Sequence, residues 1–137
     1  MKIDTLTALS PLDGRYNLVT HELRQYFSEY ALIKYRIKVE IKWFIHLSKD
    51  RSIKDLPKLS IKDNLYLTDL INNFDLKEAT KVKKIESKTN HDVKAVEYYL
   101  KEKFSSSKSL SKYLEFIHFA CTSEDINNLA YSLMIKD

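Results

Sequence analysis

The sequence predicts an all-α fold, and three observations lead to this prediction. The 137 residues include one Gly and two Pro, so the backbone has few obligatory breaks. Apolar residues recur at three- and four-residue spacing along most of the chain, as they do on the inner face of a helix. Several of these runs follow a Ser, Thr, Asp or Asn that suits a helix N-cap. We therefore expect helices joined by short polar connections.

The first long helix is expected from about residue 20 to residue 48. Inside it, the segment from Ile33 to Trp43 alternates strictly between apolar and charged side chains, which is also the pattern of a half-buried strand. A strand of this length would be unusual, and no comparable partner strand exists elsewhere in the sequence. The apolar run also continues through residues 44–47 without alternating. We therefore predict a helix that is buried on more than one side.

Three further helices are predicted between residues 60 and 104. Ser60 is expected to cap a helix that ends near residue 73. Asp75, with Glu78 three residues later, forms a capping-box pattern for a helix that reaches about residue 88. Thr89 or Asn90 is expected to cap the next helix. The inner face of that helix comprises Val93, Val96, Leu100 and Phe104.

The remaining residues follow a polar break at residues 105–107. A short helix is predicted over residues 110–120, and a final helix opens at Thr122, with Asp125 three residues later. The expected inner face of this last helix comprises Ile126, Leu129, Ala130 and Leu133. The apolar pattern is still running where the sequence stops, without a Gly, Asn or Pro stop signal. We expect a truncated chain, the alternative being a natural chain that ends in a frayed helix.

The composition is that of a soluble globular protein, with 44% hydrophobic and 31% charged residues. No stretch approaches the roughly 20 apolar residues of a membrane span. The amino terminus lacks the apolar core of a secretory signal. Cys121 is the single cysteine and cannot form an internal disulfide, so a reducing cytoplasm is the simplest expectation.

The net charge of +4 comes mainly from Lys residues that are spread among Asp and Glu. A nucleic-acid-binding domain more often concentrates its basic residues in one stripe with interleaved aromatic residues. That function is therefore the least favoured of those considered. A diffuse positive field still helps to attract a small polyanion.

Three segments carry side chains suited to binding an anion. In the first, Arg15 and Tyr16 follow Gly14, which lets the backbone approach a ligand closely, while Arg15 offers a planar donor fork for phosphate or carboxylate. The alternative is a loop in which Arg15 pairs with a surface carboxylate.

The second and third segments lie at expected helix starts, where unpaired N–H groups and the helix dipole favour an anion. Asn90, His91 and Asp92 form the second, and His91 suits hydrogen bonding or proton transfer near neutral pH. Thr122 and Ser123 form the third, with two hydroxyls. Ordinary capping is the alternative at both starts, with His91 then a solvated first-turn residue.

Two other side chains are interpreted as structural. His118 lies between aromatic residues and is more often a core histidine with satisfied hydrogen bonds. Cys121 has no evident base partner and is interpreted as a small buried residue. Neither Cys nor a second His falls at ligand spacing from His91, so metal binding is not expected there.

Taken in order, four stretches resemble the adenylosuccinate lyases of purine biosynthesis, a family of the fumarase/aspartase superfamily. They are SPLDGRY at residues 10–16, SEYALIKYRIKVEIKW at 28–43, TNHDVKAVEYYLKEKF at 89–104 and EFIHFACTSEDINNLAYSLM at 115–134. The similarity is weakest between residues 49 and 80. It is closest to the branch typical of many Gram-negative bacteria.

The resemblance implies a cytoplasmic homotetramer in which long helices of four subunits form a central bundle. Domain 1 would cover residues 1–110, and residues 111–137 would lead into domain 2. The reaction would be β-elimination of fumarate from adenylosuccinate, giving AMP, and from the succinylated aminoimidazole carboxamide ribotide. The small-molecule nucleotide would be the only partner besides the other subunits, with no metal or organic cofactor, no nucleic acid and no membrane.

The resemblance also implies roles for the three segments. Arg15 and Tyr16 would bind the nucleotide, with Arg15 on the phosphate. Asn90, His91 and Asp92 would line the site, with His91 contacting the phosphate and orienting the substrate. Thr122 and Ser123 would hold the succinyl portion.

The chain lacks the family's later general-acid histidine segment and its flexible loop with the catalytic serine base. We therefore expect the 137-residue chain to have no lyase activity alone. The alternative function is a free-standing helical module that binds an anionic nucleotide without catalysis.

Overall fold

The computed structural model describes residues 4–137, and these residues form helices and turns without a strand. Six α-helices follow a turn-rich segment that precedes residue 21. They are α1 (Arg24–Phe27), α2 (Glu29–Leu47), α3 (Ile61–Asn72), α4 (Leu76–Thr89), α5 (Asp92–Ser105) and α6 (Ser123–Lys136). Short 3-10 turns occupy His21–Leu23, Leu110–Lys112 and Leu114–Phe116. The all-α prediction is confirmed.

Helix α2 lies at the centre, and α3, α4, α5 and α6 pack around it. Its residues Ile37, Ile41 and Phe44 are at most 1% exposed. The rings of Phe44 and of Phe104 on α5 pack edge to face, with their centroids 4.9 Å apart. Contacts on several sides explain why the alternating segment is helical, because a helix surrounded by neighbours has no single polar face. The predicted burial of α2 on more than one side is confirmed.

The prediction of one continuous helix over residues 20–48 is wrong in one respect. Ser28 adopts an extended conformation, and its hydroxyl accepts the amide hydrogen of Ala31 at 3.2 Å, so it caps a new helix. The preceding residues form only a 3-10 turn and the single turn of α1. A local side-chain cap thus breaks a segment whose apolar pattern has no visible interruption.

Three predicted caps are confirmed, although Glu78 does not complete the predicted capping box at Asp75, and one cap is corrected. Ser60, Asp75 and Thr122 each accept the amide hydrogen three residues on. The cap of α5 is His91 rather than Thr89 or Asn90. Thr89 completes α4, and Asn90 ends that helix in the left-handed conformation, with φ of 50°, which leaves His91 as the first extended residue.

The helix predicted over residues 110–120 is wrong. The two 3-10 turns are followed by extended Ile117 and by two left-handed residues, His118 with φ of 61° and Ala120 with φ of 57°. A left-handed residue with a Cβ cannot continue a right-handed helix. Polar contacts to α2 hold this segment instead, since the Trp43 indole N–H donates to the carbonyl of Phe119 at 2.8 Å.

The inner face of α6 differs from the prediction at Leu129 and Met134. Ile126, Ala130 and Met134 are buried, at four-residue spacing, and face α2. Leu129 is 56% exposed, so it does not belong to that face. The inner face of α5 is as predicted, with all four of its named residues buried. No helix among residues 4–137 is both long and apolar enough to cross a bilayer.

Candidate functional site

The start of α5 is built from His91 and Asp92. The amide of Lys94 donates to Nδ1 of His91 at 3.1 Å, which is the N-cap hydrogen bond. Because Nδ1 accepts this hydrogen bond, the neutral imidazole carries its proton on Nε2. Because the His91 side chain is half exposed, its Nε2–H at the start of α5 can donate a hydrogen bond to a ligand even when the ring is uncharged.

Asp92 is tied to a buried arginine of α2. The guanidinium of Arg36, which is 4% exposed, lies 2.7 Å from the Asp92 carboxylate. Partial burial opposes ionisation, but the Val93 amide and the Arg36 charge together lower the pKa of Asp92. Asp92 is therefore a carboxylate at neutral pH, positioned and neutralised by Arg36.

The same arginine also holds α6. Nε of Arg36 donates to the side-chain oxygen of Asn127 at 2.9 Å, in the first turns of that helix. Beside it, Val39 of α2 packs with Val93 of α5 and Ile126 of α6 in one apolar cluster. The structure thus brings the starts of α5 and α6 together against one face of α2.

The start of α6 carries a reciprocal capping box. The Asp125 amide donates to the Thr122 hydroxyl oxygen at 3.4 Å, while the Thr122 amide and hydroxyl donate to the Asp125 carboxylate at 2.7 and 2.8 Å. Its hydrogen bonds with Thr122 lower the pKa of Asp125. The Thr122 hydroxyl is therefore already hydrogen-bonded to Asp125. The donors that remain for a ligand are the Ser123 hydroxyl and the first-turn amides, which have no partner within the helix.

The segment containing Arg15 and Tyr16 precedes α1 in the chain and is part of neither helix start. The guanidinium of Arg15 stacks 4.7 Å from the centre of the Tyr16 ring, and both side chains are exposed. A Cβ on buried Gly14 would lie 2.7 Å from the carbonyl oxygen of Thr5, which explains the glycine. Within residues 4–137 no hydrogen bond or ion pair joins Arg15 or Tyr16 to either helix start.

Sequence reasoning missed Arg36 and the pair formed by Glu40 and His118. The Nδ1 atom of His118 lies 2.6 Å from Oε1 of Glu40, whose side chain is fully buried. His118 is hydrogen-bonded through Nδ1, as predicted, but it is only partly buried rather than a core residue, and its partner is a buried acid. The sequence contained a signal for both residues. Arg36 and Glu40 alternate with apolar residues in a helix predicted to be buried on more than one side, so some of its charged side chains had to be buried.

Cys121 precedes α6 and is half-buried, rather than fully buried as expected. Burial raises the pKa of its thiol, and the carboxylates of Glu40 and Asp125 raise it further. The thiol is thus neutral and a poor nucleophile. Over the part of the chain that the structure describes, no three His, Cys, Asp or Glu side chains are grouped to hold a metal ion.

A groove of about 760 Å³ adjoins the start of α6, between α2 and α6. Its lining is mainly apolar and includes Trp43, Leu129 and Leu133, with Lys38 and Lys42 from α2. The groove reaches the start of α6, because Cys121 and Asp125 also belong to its lining.

Comparison of the sequence with known proteins identifies the family of the chain. A family model described as lyase matches residues 14–137. The chain is 57% identical over 136 residues to the adenylosuccinate lyase of Legionella pneumophila strain Corby, covering 99% of the chain. It is 51% identical over its whole length to that of Buchnera aphidicola from Schizaphis graminum, and 48% identical over 136 residues to that of Escherichia coli K12.

The chain spans about 30% of the length of these relatives. The matched residues include both helix starts and the arginine of α2 that joins them. The family model alone covers far more than half of the chain. The chain therefore belongs to the lyase family of the fumarase/aspartase superfamily.

Proposed function

We propose that the chain is the amino-terminal portion of an adenylosuccinate lyase. The intact enzyme would eliminate fumarate from adenylosuccinate to give AMP, and from the succinylated aminoimidazole carboxamide ribotide to give the carboxamide ribotide. The observation that carries the proposal is Arg36, which joins the starts of α5 and α6 through Asp92 at 2.7 Å and Asn127 at 2.9 Å. Two anion-binding helix ends side by side suit a substrate that carries a phosphate and two carboxylates.

Each segment has a part in this proposal. Arg15 binds the phosphate and Tyr16 the nucleotide, while Asn90, His91 and Asp92 line the site. His91 donates from Nε2 to the phosphate and orients the substrate, a role compatible with Nδ1 accepting the Lys94 amide hydrogen. Thr122 and Ser123, at the start of α6, hold the succinyl portion.

The chemistry of β-elimination explains why the start of α6 is useful. Removal of the Cβ proton places negative charge on the adjacent carboxylate before the C–N bond breaks. Amides at a helix start stabilise that charge without reorganising, because they already point toward it. The proton acceptor and the group that protonates the departing nitrogen belong to segments beyond this chain, as the family resemblance implies.

Assembly completes the proposal. Within residues 4–137 Arg15 forms no hydrogen bond or ion pair with the helix starts, so we propose that a homotetramer brings it to them from another subunit. Residues 1–110 would form domain 1, and residues 111–137 would open the domain that contributes to the central bundle. We propose a cytoplasmic enzyme that uses no metal or organic cofactor and binds neither nucleic acid nor membranes.

A chimeric enzyme tests the function. The chain replaces the matching amino-terminal 30% of the Legionella pneumophila enzyme, to which it is 57% identical. We expect the chimera to release fumarate from adenylosuccinate, followed by its ultraviolet absorbance, and the Arg15→Met chimera to lose most of this activity. The isolated chain should release none.

Two results would contradict the proposal. One is clear turnover by the isolated chain. The other is an inactive chimera that nevertheless folds and assembles like the parent enzyme, judged by circular dichroism and size-exclusion chromatography. Tight AMP binding by the isolated monomer, measured by calorimetry, would favour the non-catalytic binding module instead.

A further inference from the structure

Glu40 is an unusual residue for the middle of a central helix. Its side chain is fully buried, and Oε2 has no hydrogen-bond partner among residues 4–137. Burial raises the pKa of Glu40, and the hydrogen bond with His118 opposes that shift. A buried carboxyl with one satisfied oxygen contributes less to stability than an apolar side chain of the same size. Its presence calls for a role other than stability.

The segment that Glu40 holds is strained. His118 and Ala120 both have left-handed backbone angles, which residues with a Cβ rarely adopt. Two contacts from α2 hold the segment at its centre, the Glu40–His118 pair and the Trp43 hydrogen bond to the carbonyl of Phe119. They are the hydrogen bonds that join this turn to α2, in addition to the turn's own backbone hydrogen bonds and the buried side chain of Ile117.

This segment leads directly into α6. The Cys121 amide donates to the carbonyl of His118 at 3.4 Å, and Thr122 caps the helix immediately afterwards. The direction in which the first turn of α6 presents its amides therefore depends on residues 118–121. Arg36 holds the same helix one turn further along, through Asn127.

We propose that Glu40 and His118 are positioning residues that aim the start of α6 at the substrate. The inference rests on the proposed function, because it takes the first turn of α6 to be the succinyl-binding element. Neither residue touches the substrate in this proposal. They act through the strained turn 118–120, which the pair holds in place.

Amide chemical shifts of the isolated chain test the positioning without any assay of catalysis. The variants are Glu40→Leu, which removes the hydrogen bond, and His118→Gly, which removes the ring and relieves the backbone strain. Both should shift the amide signals of Thr122 and Ser123 in nitrogen-15 spectra. The matched control is Asp63→Asn, which perturbs another buried acid bonded to Ser60 and Ser109. It should leave those two signals in place.

Kinetics of the chimeric lyase test the consequence for substrate. Glu40→Leu should lower kcat/KM for adenylosuccinate by about 10- to 100-fold, since small displacements of positioning groups have effects of this size. Glu40→Gln keeps an acceptor for His118 and should stay within about threefold of the parent chimera, as should Asp63→Asn. The rescue by Gln separates positioning from a general loss of stability.

The outcomes separate the two proposals. Unmoved Thr122 and Ser123 signals in both folded variants would overturn the positioning role, whatever the chimera does. Equal losses for Leu and Gln at position 40 would also overturn it, because the retained hydrogen bond would then have no effect. An inactive parent chimera overturns the proposed function alone, since the spectra still report on the turn.

Discussion

Replacing Arg36 with Met tests whether one buried cation joins the two helix starts. Met retains most of the length of the aliphatic stem, so the change removes the guanidinium while largely preserving packing. Arg36 makes two contacts that are lost, to Asp92 at 2.7 Å and to Asn127 at 2.9 Å. Hydrogen bonds to charged groups are worth about 1.5–3 kcal/mol each when a partner is left unsatisfied.

The expected cost is smaller than the sum of two such bonds. The Asp92 side chain is 51% exposed, so water can hydrogen-bond its carboxylate after the guanidinium is removed. We therefore expect Arg36→Met to lower the free energy of unfolding by about 2–3 kcal/mol. Urea unfolding followed by circular dichroism measures this, with an unchanged dependence on denaturant as evidence that the same surface is exposed.

Two further measurements compare Arg36 with an exposed ion pair and isolate its interaction with Asp92. Lys38→Met removes a contact to Asp137 at 3.1 Å in which both side chains are about one-third exposed, and it should cost under about 0.5 kcal/mol. A double-mutant cycle with Asp92→Asn should give a coupling of at least about 1 kcal/mol. If Arg36→Met costs no more than Lys38→Met, Arg36 does not hold the helix starts together.

Two other predictions concern stability. Despite partial burial, hydrogen bonds with Lys103, Lys81 and Tyr99 lower the pKa of Glu78 from 4.5 to about 2, so its stabilisation is complete above pH 4.5 and is lost as the pH falls towards 2. With allowance for solvent screening, we expect Glu78 to contribute about 1–2 kcal/mol to the free energy of unfolding. Glu78→Gln should therefore reduce the fall in unfolding free energy between pH 4.5 and pH 2, and an unchanged fall would contradict this. Asn90→Ala should cost about 1 kcal/mol in thermal unfolding, and Asn90→Gly much less, because φ is 50° there; equal stability of the Ala and Gly variants would show that the left-handed backbone is not the cause.

Local features of the fold were predictable from sequence. Ser60, Asp75 and Thr122 cap their helices through amides three residues away, so each cap needs only a short stretch of chain. The start of α6 belongs to this class, whereas the cap of α5 lies one or two residues later than predicted, at His91. The adjacency of the two helix starts was beyond local reasoning, because it depends on where α5 and α6 pack against α2.

The Ser28 cap and the His91 cap are local features that were missed, but the other missed features involve partners far apart in sequence. The segment 110–120 contains helix-forming residues, but His118 and Phe119 at its end form hydrogen bonds with Glu40 and Trp43 of α2 and are not helical. Arg36 is separated from Asn127 by 91 residues, so no local pattern joins them. In the alternating segment these polar side chains resemble solvent-facing positions, whereas α6 and its preceding turn cover them.

Arg36, Glu40 and Trp43 stand at helical spacing on α2, and together they contact the start of α5, the turn before α6 and α6 itself. An apolar stripe at these positions would bury more hydrocarbon and stabilise the domain at least as well. Hydrophobic contacts are non-directional, so they specify the relative position of two helices less sharply than hydrogen bonds do. Hydrogen bonds of fixed length set the position of each neighbour instead. A site that binds a substrate through helix ends depends on that position, and we infer that the polar stripe exchanges some stability for a fixed arrangement of the two helix starts.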